Sequence, residues 1–207
     1  MPPVVTSARA QNHEGVVRKA LKRWLDAEYG APPETIVIEE LGLRHGLARV
    51  DLAVVNGCLH GFEIKSESDR LTRLPTQARI FSEVLDHVTL VAAERHIANA
   101  LRMIPGWWGL LSASCSDKGV AFSEVRETRT NPAPDHVALA KLLWRHEALS
   151  FLNAVGHGEG FASKPRAAVY ARLATVTTRK ELTARIRECF LSRSDWRSGV
   201  RRRPCDG

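Results

Sequence analysis

The sequence predicts an α/β protein in which helices flank a mixed central sheet, in the order α-β-β-β-α-β with further α and β pieces, followed by a helical extension. Three observations predict this. Apolar residues near the N-terminus recur at helical spacing. Four short runs rich in Val, Ile, Leu and Phe, each bounded by turn residues, lie between residues 35 and 93. Beyond Asn131-Pro132-Ala133-Pro134, which looks like a linker, the texture turns helical. The boundaries drawn from these features are a core over 1–130 and a basic helical extension over 131–207.

Val17, Leu21, Trp24 and Leu25 fall at i, i+4, i+7 and i+8, which predicts an amphipathic helix over 12–28, ended by Gly30 and Pro32-Pro33. Residues 35–41, 49–55 and 59–65 read as strands. A second helix is predicted over 73–86, with Thr72 as N-cap and Pro75 in the first turn, where backbone donors are free. A compact apolar run at 87–93 predicts a fourth strand, followed by a short helix at 95–103 and a strand pair at 109–115 and 120–125. The extension is predicted helical over 135–155, 165–177 and 179–193.

The 207 residues are 44% hydrophobic and 26% charged, which excludes disordered and collagen-like classes. No apolar run approaches the ~20 residues that cross a bilayer, so no membrane partner is expected. The N-terminus lacks the basic start and apolar core of a secretory signal, so a cytoplasmic location is expected. The cysteines at 58, 115, 189 and 205 lack zinc or redox spacing and read as reduced thiols. The net charge of +7 is unevenly divided. Residues 1–128 carry 15 Lys/Arg against 16 Asp/Glu, and residues 129–207 carry 15 against 7, including Arg201-Arg202-Arg203. The excess suggests a polyanionic partner, most simply nucleic acid; a solubilising face with a basic tail is the alternative.

The chemistry lies in the second and third strands, Arg49-Val50-Asp51-Leu52-Ala53-Val54-Val55 and Gly61-Phe62-Glu63-Ile64-Lys65-Ser66. Side chains alternate along a strand, so Glu63 and Lys65 share a face. A two-residue turn at Asn56-Gly57 would set Asp51 on the wrong side. A three-residue loop Val55-Asn56-Gly57, with Gly57 left-handed, pairs Val54 with Cys58 and sets Asp51 opposite Gly61. Glu63 is then its diagonal neighbour at about 7–8 Å, and Val50, Leu52, Val54, Phe62 and Ile64 share one apolar face. The odd-length turn is therefore predicted. Two carboxylates with a main-chain carbonyl, naturally that of Ile64, suit Mg²⁺ or Mn²⁺. Lys65 can position a water and stabilise negative charge. A hairpin with a surface Glu–Lys pair is the plain alternative.

Asp51, an eleven-residue gap and Glu63-Ile64-Lys65, set within α-β-β-β-α-β, resemble the PD-(D/E)XK nuclease superfamily, and the Gly-Phe-Glu-Ile-Lys-Ser wording resembles a bacterial branch of it. Val50 stands where the family places proline. The resemblance covers residues 12–105 and implies a restriction-endonuclease-like αβββαβ core. It implies that Asp51 and Glu63 bind Mg²⁺ (or Mn²⁺) with Ile64, and that Lys65 is the catalytic lysine. Glu14, an acid on the first helix, would reach the metal; a first-turn carboxylate favoured by the helix dipole is the alternative. Gln77, with Phe81 four residues on, is similar to the Gln-x-x-x-Tyr feature of RecB-like members and joins the catalytic set. Arg70, Arg73 and Gln77 are spaced to face substrate phosphates on one helix, or to form a solvated face.

The expected activity is metal-dependent hydrolysis of DNA. RNA is the alternative nucleic acid, and a homodimer is left open. A non-enzymatic scaffold binding nucleic acid or a protein partner is the competing class. Weaker features read as structural. Glu39 and Glu40 read as a strand-end pair in solvent, with Glu40 as another site acid the alternative; 156–160 is a flexible connector, and Trp107-Trp108 read as packing residues, with base stacking the alternative. The eight histidines lack zinc-site grouping. Lys180, Arg185, Arg187, Arg193 and Arg197 make the last helices basic, as in a phosphate-binding or partner-docking bundle.

Overall fold

The computed structural model describes residues 7–30 and 35–193, with side chains from Glu14 onward. Pro32-Pro33, Arg197, Arg201-Arg202-Arg203 and Cys205 lie outside the described residues. In chain order the elements are α1 (Ser7–Tyr29), β1 (Ile36–Leu43), β2 (Ala48–Val55), β3 (Leu59–Lys65), a 3₁₀ turn (Leu71–Arg73), α2 (Leu74–Val84) and β4 (His87–Ala93). Then come a 3₁₀ turn (Glu94–His96), α3 (Ile97–Met103), β5 (Gly109–Ser116) and β6 (Gly119–Arg126). The chain ends in α4 (His136–Ala140), α5 (Arg145–Ala154), α6 (Arg166–Val176) and α7 (Arg179–Ser192).

Among the described residues one mixed sheet runs β1-β2-β3-β4-β5-β6. The β3–β4 and β4–β5 pairs are parallel and the other three antiparallel. Helices cover both faces, so the central strands are apolar almost throughout. On one face Val17, Leu21 and Leu25 of α1 bury against Leu52, Val54, Phe62, Ile64 and Val91. On the other, α2 and the four C-terminal helices share one core with β1 and β4, through Phe81, Leu139, Leu152, Leu173 and Ile186 among others. The extension is therefore packed onto the sheet through α2. The segment read as a linker contributes to this: Asn131 is buried, and its amide donates to Ser82 O (2.7 Å) and Leu85 O (2.8 Å).

Several expectations are corrected. The helix expected over 135–155 is two, α4 and α5, separated at 141–144. The β2–β3 loop is odd-length, as hydrophobic burial requires, but it is Asn56-Gly57-Cys58. Val55 pairs with Leu59 and Val54 with His60, two residues further along β3 than expected. Asp86 explains the choice: its Oδ2 accepts from Leu59 N (2.7 Å) while its own N–H donates to Leu59 O (2.9 Å), fixing Leu59 as the first residue of β3. Gly57 does take positive φ, +109°. Val50 leaves the face of Leu52 and joins Leu41 and Leu43 in the α2-side core. The inversion coincides with Glu40, which lies at φ +56° between the Glu39↔Leu52 and Leu41↔Val50 pairs. Thr72 does not cap α2, whose N-cap is Arg73. Gly61 is a close approach: a Cβ there would meet Leu85 Cδ1 at 2.5 Å and Val50 Cγ2 at 3.1 Å.

Candidate functional site

The middle of β2, the end of β3, the middle of α1 and the first turn of α2 meet at one cluster of charge. Continuing the observed register one step past Leu52↔Phe62 brings Asp51 level with Glu63, closer than the diagonal placement expected. Asp51 Oδ2 accepts from Ile64 N at 2.7 Å, so the aspartate is fixed by the strand that carries the glutamate. Lys65 Nζ donates to Glu63 Oε1 at 2.6 Å, and Gln77 Nε2 on α2 donates to the same oxygen at 2.6 Å. Asp51, Glu63, Lys65 and Gln77 are thus brought together. Past Lys65, Asp69 Oδ2 accepts from Ser66 N (2.7 Å) and Ser66 Oγ (2.6 Å), and His96 Nε2 lies 3.0 Å from Ser66 O. These contacts close β3 and hold Lys65 at the mouth of the cluster.

Arg18 is the residue that sequence reasoning missed. Its guanidinium donates to Asp51 Oδ1 (2.7 Å), Glu14 Oε1 (2.8 Å) and Glu40. Glu14 therefore enters the site through Arg18, one turn along α1. Glu40, read as a strand-end acid in solvent with a place in the site as the alternative, is paired with Arg18 and with Arg49 (3.0 Å). The i, i+4 spacing of Glu14 and Arg18 was the available signal. Glu39 pairs with Lys22 at 2.5 Å, outside the cluster. Arg70 is not on the helix that carries Gln77: its backbone is extended (φ −112°, ψ 140°) ahead of the 3₁₀ turn, and α2 begins only at Leu74. Arg70 and Arg73 are both exposed. Trp108 is a packing residue, buried and stacked on Phe81.

Burial raises the pKa of Glu63 to about 7, and the Asp51 charge adds to the rise against the opposing pull of Lys65 and Gln77. Burial also lifts Asp51 above the ordinary carboxylate range, although the Ile64 N–H and Arg18 favour its charged form. Among the described residues Glu63 Oε2 and Gln77 Oε1 are buried without a hydrogen-bond partner. An orphaned carboxylate oxygen beside a second carboxylate is strongly unfavourable unless it is protonated or faces a cation. Oxygen donors of this kind fit a hard divalent ion held by one or two carboxylates plus main chain and water. Among the described residues no group of three or more His, Cys, Asp or Glu is placed to hold a metal ion.

The Glu63 shift has a sign that can be tested in metal-free protein. A carboxyl whose folded pKa lies above its unfolded value favours folding below about 4.5, and that contribution is lost as pH rises through about 7. Stability of the wild-type chain is expected to fall by ~1–3 kcal/mol between pH 5 and pH 8, and that of Glu63→Gln by less. Urea denaturation at the two pH values checks this; equal slopes for both proteins would count against a buried, proton-binding Glu63.

Known proteins similar to the chain come from phage and bacteria. Protein cII of Enterobacteria phage P4 is 29% identical over 143 residues, which are 69% of this chain and 54% of that protein. The chain thus spans about half the length of the curated relative it matches. A solved structure, the SPO1766 protein of unknown function from Silicibacter pomeroyi, is similar over 72% of this chain and 94% of its own, at 24% identity and a TM-score of 0.42. The family model described as Bacteriophage P4 protein cII matches residues 7–203, nearly the whole chain, and the protein belongs to that family.

Proposed function

We propose that the chain is a metal-dependent nuclease hydrolysing phosphodiester bonds in DNA, on a restriction-endonuclease-like α1-β1-β2-β3-α2-β4 core. What supports this most is the meeting of Asp51, Glu63 and Lys65 on two neighbouring strands, with Glu63 Oε2 left unpartnered among the described residues. Asp51 and Glu63, with the Ile64 carbonyl, would hold Mg²⁺ or Mn²⁺. When bound, such an ion lowers the pKa of a coordinated water and offsets charge building on the phosphate. Lys65, 11% exposed at its side chain, presents an ammonium beside that position to orient water and stabilise the developing oxyanion. Gln77 fixes the Glu63 carboxylate, and the Ile64 N–H fixes Asp51.

One observation favours a second reading. Arg18, bonded to Glu14, Glu40 and Asp51, already supplies a cation to three of the acids. The cluster would then be structural, in a scaffold that binds nucleic acid without cutting it. Incubation of plasmid, linear DNA and structured RNA with the protein in Mg²⁺, Mn²⁺ or EDTA separates the two. The nuclease reading expects divalent-dependent cleavage of DNA that EDTA abolishes. The scaffold reading expects salt-sensitive binding indifferent to EDTA, with no product.

A further inference from the structure

A second polar concavity lies across β1 from the acidic cluster. Leu41 and Gly42, immediately after Glu40, form part of a cavity of about 300 Å³. Its other walls come from the C-terminal helices, and it carries Lys141, Arg145, Arg166 and Arg193 together with His45 and Trp144. Among the described residues no carboxylate lines it. Two of the cations are already committed. Arg193 is buried against Glu147 and lies over the Trp144 ring at 4.4 Å, while Arg145 donates to the carbonyls of Ala162 (2.6 Å) and Lys164 (3.0 Å). Lys141 and Arg166 have no side-chain hydrogen bond or ion pair among the described residues.

The backbone adds to this imbalance. Arg166 is the first residue of α6, an eleven-residue helix whose N-terminus has no side-chain cap, and Arg145 is the first residue of α5. The uncapped N-terminus of α6 therefore opens beside the four cations and favours an anion, whereas that of α5 is already capped by Glu147. Burial, then Arg166 and Lys141, depress the pKa of His45, so the field of the two cations is felt inside the cavity. His45 is held there at φ +58°, with its ring 6.4 Å from that of Tyr170, whose hydroxyl donates to Leu143 O. Trp144 is 43% exposed, which leaves ring surface for a base.

We propose that this cavity is a phosphate site, holding the phosphate ester of a nucleic-acid strand or of a free nucleotide between Lys141 and Arg166, with Trp144 as its aromatic wall. It uses none of Asp51, Glu63 or Lys65, so it stands or falls separately from the nuclease reading.

The test is binding of a fluorescein-labelled oligothymidylate in EDTA, followed by anisotropy across a salt series. The Lys141→Gln/Arg166→Gln variant is expected to bind at least tenfold more weakly. Its slope of log affinity against log salt should be shallower by about 1.4, near 0.7 for each lost phosphate contact on a single strand. Arg102→Gln/Lys118→Gln removes the same charge beside β5 and β6 and should stay within twofold of wild type. Lys141→Arg should retain binding, and an unchanged melting temperature excludes misfolding of the double variant. Displacement of the probe by adenosine monophosphate assigns the site to a free nucleotide; displacement by unlabelled oligonucleotide alone assigns it to a strand. Failure of the wild-type chain to bind either ligand, or equal weakening by both double variants, would overturn the proposal.

Discussion

Lys65→Ala is expected to reduce divalent-dependent cleavage of DNA by about 10³-fold, which places it at or below detection in a plasmid assay. The Lys65 ammonium lies 2.6 Å from Glu63 Oε1 at the mouth of the acidic cluster, where negative charge would develop on a scissile phosphate. Its loss removes that stabilisation and one of the two donors that hold Glu63. The fold should survive, because the apolar anchors of β3 are Phe62 and Ile64, which belong to the α1-side core, and Lys65 only ends the strand. Asp51→Ala should be equally inactive. A Lys65→Ala protein with wild-type circular dichroism and wild-type cleavage rate would remove Lys65 from the chemistry.

The largest effect on stability is expected at Glu147, away from the acidic cluster. Glu147 and Arg193 are both buried, at 8% and 6% exposure, and they are joined by the Arg193 Nε to Glu147 Oε1 bond (2.9 Å) and a second one between Nη2 and Oε2. Glu147 Oε2 also accepts from Trp144 N at 2.7 Å, capping α5. Burial alone would raise the Glu147 pKa, but Arg193 and the Trp144 N–H bring it below the usual value. Glu147→Ala strands a buried guanidinium and removes the cap, so a loss of about 3–5 kcal/mol is expected, seen as a lower urea midpoint at unchanged slope. Glu188→Ala breaks the exposed Arg185 pair and should change stability by less than about 0.5 kcal/mol. Because the pKa of Glu147 is depressed, its contribution is present at neutral pH and is lost as pH falls below the ordinary carboxylate value.

The sequence carried the strands better than it carried their registration. β3 and β4 begin and end where their apolar runs do, since burial on both faces leaves little freedom. Alternation fixes only the parity of a hairpin, however, and registers two residues apart expose the same faces. The choice between them lay with Asp86, distant in sequence and clamped onto Leu59. The face change at Val50 goes with positive φ at Glu40, a conformation that alternation cannot announce in a non-glycine residue.

At the site, the placing of Glu63 and Lys65 on one face with Asp51 near them was legible from strand alternation, whereas Gln77 entered only through the resemblance. Arg18 was not legible, because its link to Asp51 joins residues 33 positions apart. Counting charge also hid partners. Some of the basic excess of the extension turns inward, with Arg193 on Glu147 and Arg179 on Asp86 (2.5 Å), and these pairs hold the helices together and against the sheet.

Titration with Mn²⁺, read by electron paramagnetic resonance of the free ion, asks whether the paired acids take a hard cation at all. Wild-type protein should bind a single Mn²⁺ that Mg²⁺ displaces, and Asp51→Asn and Glu63→Gln should each lose it. Identical binding by all three proteins, or none by the wild type, would leave Arg18 as the cation of that cluster and contradict the nuclease assignment.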